Sequence, residues 1–466
     1  LCVGLGATCL ARPQDSRNLA LAVASFEDAW QTINDTFYDP AFGGVDWPAV
    51  RRELLPRARA SKSAEGVRDV IREMIGRLGQ SHFELISDST ALPGPASVPI
   101  EIRVLRPDVV ITRVTNDAAA TAGLRPGQVI LALDGVAAGT WRTSAAGKHE
   151  RARDLQHWES AYRALHGAKG ARAVLRVREP DGREREVTVI RDTGSRPLLQ
   201  FGNILMKDAT LTANRVRTPG GKDVGVIAFN LWMTAVSEPF ARAVDEYRGA
   251  DAIVIDLRGN PGGLAGMNGG FSGHFIAEAD VVLGTMRTRE AKLEFRNNPR
   301  LATDDGRRVT PFAGPVAILV DEQTASASET FSGALQALGR ARIFGRQTMG
   351  QALPASTHTL PNGDVLLHAV GDFITSKGKS LEGEGVVPDE IVPLSIPALA
   401  AGRDGVLEAA LSWIDRAGSL LLCSVDPQDR VFLPRCDAPD APLKQARPED
   451  RGRVARRSTG SSVGSY

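Results

Sequence analysis

VAILVDEQTASASETFSGALQALGRARIFGRQTMGQAL, residues 316–353, is the stretch on which the fold turns. Val316 to Val320 is an unbroken apolar run, the pattern of a strand covered on both faces. Asp321-Glu322 and the small polar residues Gln323 to Ser328 end it, and a helical pattern runs on through Leu338. Strand, tight turn and helix in that order raise a small side chain from the end of a sheet and aim helix-start N–H groups beside it. Ser326 occupies the position a nucleophilic serine would hold. Ser326-Ala-Ser-Glu329 is also a capping box, so the serine has a purely structural reading as well.

Around this stretch, residues 200–397 alternate apolar strands with helical segments, among them Val224 to Phe229, Ala252 to Leu257, Arg342 to Phe344, Val365 to Val370 and Val386 to Asp389. That alternation predicts a layered α/β core with ligands outside the carboxyl ends of its strands. Arg258-Gly-Asn-Pro-Gly-Gly263 follows one such strand. So many glycines suit a backbone that approaches a bound carbonyl. An N–H from Gly262 or Gly263, with that of Ala327, would form an oxyanion hole.

A serine nucleophile needs a base, and the loop after the helix offers Gln351, which accepts no proton at ordinary pH. Of the seven histidines, His82 alone has a hydroxyl neighbour, Ser81, at the exit of a helix. That helix is predicted over Ala64 to Leu78, from the stripe Val67, Val70, Ile71, Met74, Ile75 and Leu78, with Gly79 as its stop. Glu382, in the glycine-rich turn Leu381-Glu-Gly-Glu-Gly385, is the carboxylate available to orient the imidazole, directly or through Ser81.

The remaining segments read more simply. Residues 18–90 are mainly helical and 95–193 are rich in short strands, with Pro180-Asp-Gly182 as a turn. Ala400 to Ala417 reads as a helix within a C-terminal extension, 398–436, and the Pro/Arg/Gly/Ser-rich tail 437–466 is expected to be disordered. Residues 1–11 resemble the end of a secretory signal, with cleavage after Ala11, which predicts a periplasmic or extracellular protein while leaving the cytoplasm open. Cys2 and Cys9 fall in that segment; Cys423 and Cys436 could pair after export or stay reduced. No cysteine has metal-ligand spacing with a histidine, so no metal site is expected. A net charge of +1 in 466 residues gives no field for nucleic acid, and no run is long enough for a transmembrane span.

DLRGNPGG at 256–263, TASASE at 324–329, GRQTMGQAL at 345–353 and EGEGVVPD at 382–389 resemble the carboxy-terminal processing, or tail-specific, serine protease family. AAATAGLRPGQVILALDGV, residues 118–136, resembles the second half of a PDZ domain, a module that captures chain ends by strand addition. The resemblance implies a multidomain α/β protein: an N-terminal helical region, a PDZ-like β-rich domain and a ClpP/crotonase-like protease core. It departs from the family's Ser–Lys dyad at Gln351, which stands where the lysine falls. What remains is similar to the tricorn-core-like branch, in which a histidine from the N-terminal helices is the base. Carried over, Ser326 is the nucleophile, His82 the base, Ser81 and Glu382 its orienting groups, Gly262 and Ala327 the oxyanion donors, and Gly263 and Gln351 line the substrate. The implied function is a serine endopeptidase acting on unfolded or exposed polypeptide segments, with no cofactor and with homo-oligomerisation open. Two other readings share the fold: an inactive binding or scaffold protein, and a hydrolase of small esters or amides.

Overall fold

The computed structural model describes residues 13–87, 92–142, 150–193, 198–201, 204–207 and 209–421. The signal-like segment, all four cysteines and the tail lie outside these residues. The chain divides into Leu1–Leu420 and Leu421–Tyr466, and the sheets and the candidate site all lie in the first of these units.

Six strands form the central sheet in the order Leu211–Arg217, Asp223–Phe229, Ala252–Asp256, Val316–Val320, Arg342–Gly345 and Glu390–Ile391. Only the first pair is antiparallel. All five residues of Val316–Val320 are buried, and they divide between two cores. Val316, Ile318 and Val320 pack with Phe331 and Leu335 of helix Ala327–Ala337 and with Phe240 and Val244 of helix Ser237–Glu246. Ala317 and Leu319 face Val406, Ala410 and Ile414 of helix Gly405–Leu421. The unbroken apolar run is therefore the middle of a three-layer sandwich, with about 1.5–3 kcal/mol of transfer energy in each large buried side chain.

The expected helix from Ala400 is broken into Ile396–Ala400 and Gly405–Leu421, with Gly402 at φ +69° between them. Val386 to Asp389 is not a strand. Val386 N–H donates to Thr348 Oγ1 at 2.7 Å and the Asp389 carboxylate accepts Ile343 N–H at 2.7 Å, so pairing is delayed to Glu390–Ile391.

Residues 100–190 carry an antiparallel sheet of strands Ile100–Leu105, Asp108–Val114, Val129–Leu133, Arg172–Arg178 and Glu184–Ile190. Helix Glu150–Leu165 packs Ala161 and Leu165 under it. The helices Pro13–Thr36, Trp47–Ala60 and Ala64–Gly76 bury Phe26, Ile33, Phe37, Trp47, Leu54, Ile71 and Met74 together. Leu353, Leu360, Leu366 and Ala369 from the other end of the chain complete that core. Strand Glu84–Ile86 pairs with Val365–Ala369, which tethers the segment holding His82 to the late strands.

Candidate active site

Strands Ala252–Asp256 and Val316–Val320 are parallel neighbours, with Asp256 opposite Leu319, so the loops at their carboxyl ends lie side by side. Side chains fasten them together. Asp321 Oδ1 accepts Gly259 N–H at 2.9 Å and Gln323 N–H at 3.0 Å, and Thr324 Oγ1 donates to the Leu257 carbonyl at 2.8 Å. Ala325 N–H donates to the Asn260 carbonyl at 3.1 Å. Arg103, from strand Ile100–Leu105, donates from Nε to Asp321 Oδ2 at 2.8 Å. Its guanidinium keeps the buried Asp321 carboxyl below the usual range despite the cost of burial.

Ser326 ends this turn at φ +53°, ψ −118°, a strained backbone for a residue with a Cβ. Its N–H is shared between the Gln351 carbonyl at 2.8 Å and Glu329 Oε2 at 3.1 Å. Serine and glutamate are arranged as a capping box, yet the serine hydroxyl makes no capping hydrogen bond, and Glu329 N–H donates to the Ser326 carbonyl at 2.9 Å.

Gly262, at φ +102°, lies directly against the serine: a Cβ there would sit 2.6 Å from Ser326 Cβ and 2.9 Å from Ala327 N. Its N–H is already committed to Asn260 Oδ1 at 2.9 Å. The N–H expected as an oxyanion donor at Gly262 is thus the one that the Asn260 side chain holds. Gly263 differs. It pairs in parallel with Trp232 through the flanking bonds Trp232 N–H to the Gly262 carbonyl and Leu264 N–H to the Trp232 carbonyl, both 2.8 Å. That pairing turns Gly263's own N–H the other way. Among the described residues, neither Gly263 N–H nor Ala327 N–H has an acceptor.

The histidine arrives on a separate arm. Gly79 at φ +64° ends the helical segment, Gln80 Oε1 accepts the Tyr38 hydroxyl at 3.0 Å, and His82 sits at φ +59°. His82 Nδ1 is 2.8 Å from Ser81 Oγ, which donates to Glu382 Oε2 at 2.9 Å. Glu382 Oε1 accepts Ser81 N–H at 2.8 Å, and Oε2 also accepts Ala352 N–H at 3.1 Å. A hydroxyl that donates to a carboxylate must accept from the imidazole, which puts the ring hydrogen on Nδ1 and leaves Nε2 with its lone pair. Burial takes His82 down to about 4, so the ring is neutral at pH 7, and burial raises the Glu382 carboxyl.

The residues singled out in the sequence thus meet from three distant segments. Glu382 joins the histidine arm to Ala352, and the neighbouring Gln351 carbonyl holds Ser326 N–H. Gln351 N–H goes to Glu329 Oε2 at 2.9 Å, so its backbone serves the site's frame and only its side chain is left to face a ligand. Ser326 Oγ and His82 Nε2 are not hydrogen-bonded to each other. Among the described residues, no cluster of His, Cys, Asp or Glu could hold a metal, and no helix is long and apolar enough to cross a membrane.

Comparison with known proteins places this arrangement. Residues 223–392, from the second strand of the central sheet to the last, match peptidase family S41, and residues 24–76 match the tricorn protease C1 domain. Residues 223–392 are a peptidase family S41 domain. Membership makes this S41 chain a serine-type peptidase, a hydrolase. The carboxyl-terminal-processing protease of Picosynechococcus sp. is 27% identical over 383 residues, which is 78% of this chain and 82% of that protein. That of Synechocystis sp. is 26% identical over 404 residues, 83% and 85% of the two chains. The fold is shared with the photosystem II D1 C-terminal processing protease, at TM-score 0.53 and 21% identity over 83% of this chain and 98% of the other. It is shared also with mature CPAF complexed with lactacystin, at TM-score 0.58 and 14% identity over 87% and 99%.

Asn260, Thr348 and the Arg103–Asp321 pair frame the candidate site without having been singled out from the sequence, where Glu329 was visible only as a cap. Asn260 stands inside the glycine motif, where a side-chain amide among glycines was the available signal. Arg103 had none.

Proposed function

We propose that this S41 peptidase cleaves exposed or unfolded polypeptide segments through an acyl-enzyme on Ser326, with His82 as general base. The observation that carries this reading is the hydrogen-bonded path from His82 Nδ1 through Ser81 to Glu382, which leaves Nε2 unprotonated at neutral pH. Ser326 Oγ attacks the scissile carbonyl as Nε2 takes its proton, and the Ser81–Glu382 path supports the imidazolium. Gly263 and Ala327 N–H groups, both without a partner among the described residues, receive the developing oxyanion. Proton return from Nε2 releases the amine, and water attacks the ester by the same route. Because the two reacting side chains are not bonded before substrate arrives, a short movement precedes acylation.

The β-rich region 95–193 is read as a PDZ-like module with Ile100–Leu105 as its edge strand. The Ile102 carbonyl on that strand accepts Trp158 Nε1 at 3.2 Å and Arg103 Nη1 at 3.0 Å, so an added strand would have to displace these donors. Cleavage near chain ends, as the relatives' names describe, and export through residues 1–11 complete the reading.

Labelling with a fluorophosphonate probe tests it. Wild type is expected to label, and Ser326→Ala and His82→Ala are not. Folded wild type that stays unlabelled would favour the inactive scaffold.

A further inference from the structure

The buried side chain between the nucleophile and the base's carboxylate is Glu329, fully enclosed and, among the described residues, without a cation beside it. Four donors converge on it. Ser326 N–H (3.1 Å) and Gln351 N–H (2.9 Å) share Oε2, while Gly350 N–H (2.7 Å) and the Thr348 hydroxyl share Oε1. One carboxylate thereby clasps the nucleophile turn to the 348–351 loop. That loop in turn gives the Gln351 carbonyl to Ser326 and leads into Ala352, whose N–H holds Glu382.

Helix capping alone would need only the bond to Ser326 N–H. The other three donors come from a loop some twenty residues on, and all four favour an ionised acceptor. A proton changes the pattern. On Oε2 it would face two N–H groups; on Oε1 it could go only to Thr348 Oγ1, weakening the bond from Gly350.

We propose that Glu329 is a positioning residue for this peptidase: its ionised form latches the nucleophile turn to the 348–351 loop, and Ser326 is acylated fastest in that form. The inference rests on Ser326 being the nucleophile.

Among the described residues, no other charge competes for this carboxylate. On the 382–389 loop, whose Gly385 lies against Oε1, Glu382 turns to Ser81 and Ala352, and Glu384 pairs with Lys379. On the nucleophile turn, Asp321 pairs with Arg103 and Glu322 with Arg346. Burial pushes Glu329 up to about 7, whereas His82 lies at about 4, so the two groups titrate in separate ranges.

The test is the pH dependence, from about 4.5 to about 9, of fluorophosphonate labelling on the full chain. Wild type is expected to gain about tenfold in rate through a midpoint near 7, as one latch of about 1.4 kcal/mol would give. Glu329→Gln should label slowly and without that rise. Thr348→Val, which removes a donor to the charged form, should move the midpoint up by about one pH unit. A folded Glu329→Gln that keeps the wild-type acid limb overturns the proposal, as does an unmoved midpoint in Thr348→Val, which decides the matter if Glu329→Gln fails to fold. Wild type that does not label at about pH 8.5 removes the nucleophile reading itself, an outcome distinct from labelling with an unaltered midpoint.

Discussion

Ser81 Oγ and Glu382 Oε2, 301 positions apart in the chain, are 2.9 Å apart in the fold. The serine hydroxyl accepts from the imidazole and donates to the carboxylate, so it fixes the tautomer that a general base needs. Ser81→Ala should therefore lower kcat by about a hundredfold while leaving KM nearly unchanged, within the range that general-base catalysis contributes. Steady-state cleavage of an unfolded protein substrate checks this; a KM effect without a kcat effect would remove Ser81 from the relay.

Gly262→Ala should damage both stability and activity. The added methyl meets Ser326 Cβ at 2.6 Å on a backbone at φ +102°, and the serine has no room to retreat from its own strained turn. A loss of more than about 1 kcal/mol is expected. Gly339→Ala is the comparison, at φ +68° with nothing within 4 Å. It should cost about 1 kcal/mol and leave labelling of Ser326 untouched.

Arg103→Ala should destabilise the fold by about 3–5 kcal/mol, because it strands the Asp321 carboxylate in the interior. Both side chains are nearly buried, at 13% and 11% exposed. The same change frees the turn before Ser326, so the labelling rate should fall with the unfolding midpoint in urea. Unchanged stability would mean that water reaches Asp321.

Glu329 makes a prediction for stability opposite in sign to that for activity. Its folded pKa of about 7 lies above the unfolded value, so its contribution is complete below about pH 4.3 and is lost as pH rises through about 7. Up to about 3 kcal/mol is at stake. Urea midpoints of wild type should decline from about pH 5 to about pH 8, and those of Glu329→Gln should decline less; parallel slopes would show that the carboxyl is already charged at about pH 5.

The strand, turn and helix of 316–338 were legible because a doubly covered strand and a helix start leave local patterns. The site residues were legible one by one for the same reason. His82 stands at a helix exit, Glu382 in a glycine turn, and Gln351 where a base was wanted. Their hydrogen-bond partners were not. Whether Gly262 or Gly263 keeps a free N–H depends on where the Asn260 amide turns, and that depends on its bond to the Phe229 carbonyl on another strand. Glu329 was visible as a cap, but three of its four donors come from a loop that sequence spacing cannot bring near. The break at Gly402 was missed because helical periodicity continues across it. The nearby Asp404 meanwhile clasps Arg258 at 2.9 and 2.7 Å, beside the glycine loop.

The core that the N-terminal helices share with Leu353, Leu360, Leu366 and Ala369 has a consequence for biosynthesis. During translation the histidine arm leaves the ribosome about three hundred residues before the glutamate that supports it. Until the late strands emerge, the helices lack part of their apolar partner and the imidazole lacks its carboxylate. On the proposed His82–Ser81–Glu382 relay, a nascent chain of this enzyme stays silent until the late strands have emerged and folded against the helices.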